Sequence, residues 1–235
     1  MKEKLISLLL LLAAGLMSAS AQDKAELSFG TDLLSRYVWR GQDMGSCSVQ
    51  PFLGVRWKGL SLHAEGNIGL VDRSDPEEID LMLSYTTHGF FFGLADYWSD
   101  TPYRQYFMYK AHHTSHVFEA FAGYDFGFLQ ATWRTNFAGN DGMNDSGHRA
   151  YSSYLELTAP FRLLSCDWEA EAGIVPYATT YYRAPRFTMV ALGLKATKEI
   201  RISDHFSLPL FAQVMTNPEC RRAYLIVGLT LGVGQ

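Results

Sequence analysis

One cluster in the sequence has the residue types of a hydrolase: His112-His113-Thr114-Ser115-His116, followed by Glu119. On a strand, residues two apart share a face. His113 could then serve as base to the Ser115 hydroxyl, with Glu119 on the same odd-numbered face orienting the imidazole. Such a site would cleave esters of membrane lipid, and it would have to face the lipid. Three histidines within five residues are also the donors that zinc takes, but no fourth ligand stands at a suitable spacing. A polar cluster at a strand end accounts for the same residues without chemistry, and that reading is preferred. The loop Asn140-Asp141-Gly142-Met143-Asn144-Asp145-Ser146-Gly147 lacks the alternating acids and closing Glu of a calcium loop. Phosphate-binding glycine loops, nucleophile elbows and paired metal motifs are missing too. The expected class is therefore not an enzyme, and no cofactor or metal is expected.

The elements that carry these residues are strands. Leu60, Leu62, Ala64, Ile68 and Leu70 fall on one face of a period-2 pattern, and Ser61, His63, Glu65 and Asn67 on the other. The same alternation recurs in 77–87, 128–138, 165–176 and 222–233, where a helix would scatter the apolar residues around its circumference. It predicts 12 strands, at 25–39, 48–58, 60–71, 77–87, 89–98, 114–124, 128–138, 149–159, 165–176, 186–197, 205–215 and 222–233. Lys58-Gly59, His88-Gly89 and Asp125-Phe126-Gly127 are tight turns, whereas 40–47, 72–76, 99–113, 139–148, 177–185 and 216–221 are longer polar connections. Short and long connections alternate, and the strand count is even. The expected architecture is a transmembrane antiparallel up-and-down β-barrel over 22–235.

Residues 1–21 read as a secretory signal peptide. Lys2 and Lys4 precede an apolar run from Leu5 to Met17, and Ala19-Ser20-Ala21 forms a small-residue cleavage site. That run is too short for a spanning helix, which needs roughly 20 residues. Export through the periplasm to the cell outer membrane is the expected route.

A soluble sandwich or barrel would alternate in the same way, with its apolar face inward. Aromatics argue for the membrane. Tyr37, Trp39, Tyr97, Trp98, Phe137, Tyr151, Tyr181 and Tyr182 fall near the long-loop ends of the strands. Trp57, Tyr85, Phe90, Phe126, Phe161 and Trp168 fall near the short-turn ends. Two such girdles match the two interfaces of a bilayer. A closed 12-stranded barrel with its apolar face inward would also enclose more space than its side chains could fill. Composition agrees: 48% of residues are hydrophobic and mean hydropathy is −0.05, as when a greasy face and a charged face cancel. A net charge of −4 gives no reason to expect nucleic acid.

With the polar face inward, the lumen would be lined by Arg36, Arg56, Arg134 and Lys195 and by Asp32, Glu65, Asp80, Glu119, Glu156, Glu169 and Glu171. The acidic excess favours cations over anions. Outer-membrane lipid and small polar solutes are the expected partners. Barrel closure places the first and last strands side by side, so a disulfide between Cys47 in the first long loop and Cys220 in the last is expected, leaving Cys166 free.

Ser35-Arg36-Tyr37-Val38-Trp39-Arg40-Gly41, followed by Gln50-Pro51, resembles the opening of the TorF-like porins of Gram-negative bacteria. Asn136-Phe137-Ala138-Gly139-Asn140-Asp141 and Phe206-Ser207-Leu208-Pro209-Leu210-Phe211-Ala212-Gln213 are similar to segments of uncharacterised relatives in Bacteroidetes. The resemblance implies an outer-membrane barrel. The chain departs from the usual pattern in closing on Gly232-Val233-Gly234-Gln235 where outer-membrane barrels carry an aromatic residue. A narrow channel for small polar solutes is the leading expectation. The alternatives are a non-conducting structural or adhesive barrel and, behind both, the lipid hydrolase.

Overall fold

Leu62, Leu83 and Leu94 stand side by side in cross-strand register on three successive strands, and all three are about half exposed. Rows of this kind make the outer wall of the molecule. The structure, a computed structural model, describes residues 24–72, 74–110, 113–203 and 206–233. The proposed signal peptide and His112 lie outside them.

Twelve strands close the barrel: β1 (Glu26–Leu34), β4 (Ser48–Trp57), β5 (Leu60–Gly69), β6 (Glu78–Thr87), β7 (Phe90–Ser99), β8 (His116–Asp125), β9 (Gln130–Gly139), β10 (Ser153–Leu163), β11 (Cys166–Val175), β12 (Thr188–Ser203), β13 (Phe206–Asn217) and β14 (Arg222–Val233). Each pairs antiparallel with its chain neighbours, and β1 pairs with both β14 and β4 to seal the wall. The tight turns after β4 and β6 place both central residues at positive φ, Lys58 and Gly59 in one and His88 and Gly89 in the other. That is the mirror-image turn whose twist matches a two-residue hairpin.

The period-2 pattern fixes which side each residue faces. Apolar residues such as Leu53, Leu81, Trp133, Leu194 and Val227 point outward and are exposed. At the short-turn end, Trp57, Tyr85, Phe90, Phe126 and Phe161 form an exposed outward ring. The lumen is narrowed by inward rings laid over glycines of adjacent strands. A Cβ on Gly93 would stand 2.5 Å from the Phe121 ring, and one on Gly228 would stand 2.3 Å from that of Phe211. Tyr154 crosses Gly173 in the same way.

The first expected strand, 25–39, is shorter than the alternation suggested. β1 ends at Leu34, and the chain turns into the barrel as a separate hairpin, β2 (Tyr37–Trp39) and β3 (Gln42–Gly45). Arg36 is corrected accordingly. It lies in the turn before this hairpin, donates to Asp43 at 2.7 and 2.9 Å, and is not part of the wall. Tyr37, Trp39, Tyr97, Tyr181 and Tyr182, expected in the outer girdle, are gathered inside the barrel or in loops folded over it. Phe137 and Tyr151 remain outward and exposed.

The expected Cys47–Cys220 bridge does not form; all three cysteines are free thiols. The infolded hairpin returns the chain on the β5 side, where the Cys47 carbonyl accepts from the Leu70 N–H. Cys220 sits exposed in the β13–β14 turn, its N–H donating to Asn217 Oδ1.

Candidate functional site

The hairpin occupies the long-loop half of the lumen because its own residues fit two different walls. Val38 packs with Leu34 against Ala191, Phe211, Met215 and Ile226 of β12–β14. At the tip, Arg40 and Gly41 both have positive φ. A Cβ on Gly41 would stand 1.9 Å from the Val190 carbonyl oxygen, so only glycine lets the tip approach that strand. Asn217 Nδ2 donates to the Gly41 carbonyl at 3.1 Å and fastens the tip from the other side.

Arg40 is the centre of the plug. Its guanidinium donates to Glu119 Oε2 at 2.6 Å, to Glu119 Oε1 at 2.9 Å, to the Tyr182 hydroxyl at 2.6 Å and to the Tyr97 hydroxyl at 3.3 Å. The same group lies 4.3 Å over the Trp39 ring and 5.1 Å over that of Tyr154. Glu119 also accepts from Tyr97 at 3.1 Å and from Arg134 at 3.3 Å, while Arg134 Nε donates to Glu156 at 2.8 Å. A buried charge needs this density of partners to remain ionised. The aromatic cluster of Trp39, Tyr154, Tyr181 and Tyr182, with Val175 and Val190, seals the network from above.

The hairpin is seated against β12–β14 and leaves space beside and beneath it in the lumen. Three cavities follow one another there. A wide one of about 750 Å³ at the short-turn end is lined by Glu26, Ser28, Asp32, Phe52, Arg56, Ser61, His63 and Glu65. A middle one of about 290 Å³ holds Glu65, Asp80, Arg134, Glu156 and Glu171 beside Arg40. An outer one of about 250 Å³ runs between Tyr37 and Trp39 of the hairpin and Glu78, Asp80 and Tyr97 of the wall, and reaches Thr101 and Asn140 at the loops. His63 and Glu65 are shared by the first two, and Tyr37, Trp39, Asp80 and Tyr97 by the last two.

Of the sequence-predicted lining residues, Asp32, Arg56, Glu65, Asp80, Arg134, Glu156 and Glu171 reach these cavities. Asp32 accepts from Thr230 Oγ1 at 2.6 Å. Glu169 faces Lys195 in register, and Lys195 Nζ stands 4.5 Å over the Phe211 ring. Glu119 is inward but fully enclosed by the plug. Arg40, Tyr97 and Tyr182 are not among the lumen residues expected from the sequence, where Tyr97 and Tyr182 count as girdle aromatics. The aromatic-Arg-Gly run at 39–41 was the available signal, since a lone arginine before a glycine suggests a turn that presents a charge.

The hydrolase arrangement is not assembled. Ser115 Oγ donates to the Tyr103 carbonyl and accepts from its N–H, His113 Nδ1 meets the Tyr103 hydroxyl, and Glu119 belongs to Arg40. His116 does something else. It points outward from the wall, its Nδ1 2.8 Å from Asp96 and its Nε2 at the Tyr106 carbonyl. Tyr106 and Tyr109 are thereby held over the outer face of β7 and β8, with Tyr109 stacked 4.5 Å from the His116 ring. Burial, with Asp96 adding its negative charge, raises the Tyr106 and Tyr109 phenols above their ordinary value. Among the described residues, no three His, Cys, Asp or Glu are grouped to hold a metal ion.

No family model and no curated protein matches the chain. Among solved structures, OmpF of Salmonella typhi, in complex with daunomycin, is similar over 89% of this chain and 98% of its own, at 9% identity and a TM-score of 0.35. The closed barrel is shown by the strand pairing itself.

Proposed function

We propose that this protein is an outer-membrane β-barrel that works as a narrow channel for small polar solutes. The observation that carries the reading is the succession of cavities with shared walls, running from the short-turn end to the long loops past the seated hairpin. An exposed apolar outer wall supports the membrane location. The short turns and both ends of the described chain lie at one rim, the periplasmic one in barrels of this kind. The wide cavity then opens to the periplasm, and the hairpin constricts the outer half.

A second reading, a non-conducting barrel, is favoured by the Arg40–Glu119 network that fills the centre. Planar-bilayer recording on the purified protein decides between them. Discrete conductance steps that widen when the hairpin is deleted support the channel. A silent bilayer at all voltages and salt concentrations, from protein shown to be folded, overturns it.

A further inference from the structure

Four side chains, Tyr37, Trp39, Asp80 and Tyr97, line both the middle and the outer cavity. A solute that moves from one to the other passes between them. Asp80 is opposed in register by Glu65 on β5 and by Tyr97 on β7. Two carboxylates directly across strands repel each other and cost the sheet stability. Most of the neighbouring acids have partners in place, although among the described residues Glu171 of the middle cavity, like Asp80, has no basic side chain at ion-pair distance. Glu119 and Glu156 are paired with arginines, Glu78 accepts from the Tyr37 hydroxyl at 2.8 Å, and Glu65 lies 3.6 Å from His63. Among the described residues, no basic side chain stands within ion-pair distance of Asp80. Its carboxyl is open to whatever occupies the passage, with Arg40 lining the same middle cavity.

The other three members of the ring are aromatic. Two of these rings show that they accept a cation, but the one they hold is the Arg40 guanidinium, 4.3 Å over Trp39 and 5.7 Å from the Tyr97 centroid, so a solute shares the ring with Arg40. A carboxylate set among electron-rich ring faces is the environment that recognises ammonium groups.

We infer that this ring is the selectivity filter of the passage. Asp80 is its specificity-determining residue, and small organic ammonium ions are the solutes it favours. The inference rests on the channel reading above. It is tested in planar bilayers with wild-type, Asp80→Asn and Asp80→Glu proteins under gradients of potassium chloride and of methylammonium chloride. Folding is checked by the altered mobility of the unheated barrel in detergent gels. Wild type is expected to reverse on the cation side. In Asp80→Asn the permeability of methylammonium relative to chloride falls about fivefold, the effect of removing one unit charge from a water-filled passage. Asp80→Glu keeps the wild-type ratio. An Asp80→Asn ratio equal to wild type overturns the filter and leaves the channel standing. A wild type that prefers chloride overturns it whether or not the variants fold. Absence of any conductance overturns the channel reading, and the filter with it.

Discussion

Arg40 and Glu119, 79 residues apart in the chain, meet through two hydrogen bonds inside the barrel, with side chains only 7% and 0% exposed. The pair joins the plug to the wall: Arg40 belongs to the hairpin tip and Glu119 to β8. A buried pair adds little when compared with an apolar replacement, but breaking one half leaves an uncompensated charge. The pair is therefore best understood as a device that fixes where the plug sits.

Arg40→Ala should strand the Glu119 carboxylate and cost about 3–5 kcal/mol. The urea midpoint in lipid or detergent should fall, and channel conductance should rise as the hairpin leaves its seat. The double variant with Glu119→Gln should recover part of the lost stability. A midpoint unchanged in Arg40→Ala would show that the pair does not anchor the hairpin.

Gly41→Ala tests the same seat through the backbone. The added Cβ would collide with the Val190 carbonyl, and φ at this position is +74°. Expected is a folded barrel with larger and noisier conductance than wild type. Wild-type currents would mean that the tip does not approach β12 in the membrane.

Leu83→Arg places a charge in the middle of the outward leucine row. In a bilayer this costs about 2–4 kcal/mol, whereas the same change on a water-facing wall costs almost nothing. Unfolding titrations in lipid vesicles read the difference. An unchanged midpoint would speak against a lipid-facing wall.

The barrel itself was legible because each spanning strand sorts its residues onto two faces, and twelve alternating segments carry that signal through the sequence. The hairpin was not. Tyr37 and Trp39 continue the parity of Leu33, and no glycine or proline interrupts the run before Gly41, so period alone extended the first strand to residue 39. The break after Leu34 is imposed by contacts with β12–β14, far away in sequence. The lining charges were found by parity, and Arg36 failed because its parity was counted along a strand that had already ended. The cysteine pairing assumed that the first loop stays above the rim; once the loop is folded inward, Cys47 returns on the β5 side.

Free thiols at opposite ends give a topology test without mutation. A membrane-impermeant maleimide applied to intact cells, with no reductant, should modify Cys220 and spare Cys166. Labelling of Cys220 that appears only after reduction would show that it is bridged after all.

His116→Ala should release the loop 100–115 from the outer face of β7 and β8. Faster cleavage within that loop by added protease is expected, with barrel mobility on unheated gels unchanged. Equal cleavage rates would mean that the His116 contacts with Tyr106 and Tyr109 do not hold the loop.

Leu34 and Ser48, which flank the hairpin, are directly paired between β1 and β4. The wall is therefore continuous without residues 35–47, and the plug is a module inserted at a point where a short turn would serve. Its two roots are bonded to the barrel, Ser35 to Val227 and Cys47 to Leu70, but between them the insert can lengthen, shrink or change its charges while the strand ladder from Leu34 and Ser48 onward stays in place. The constriction and the wall are then separable in this chain, and descendants or designs can vary the first while inheriting the second intact.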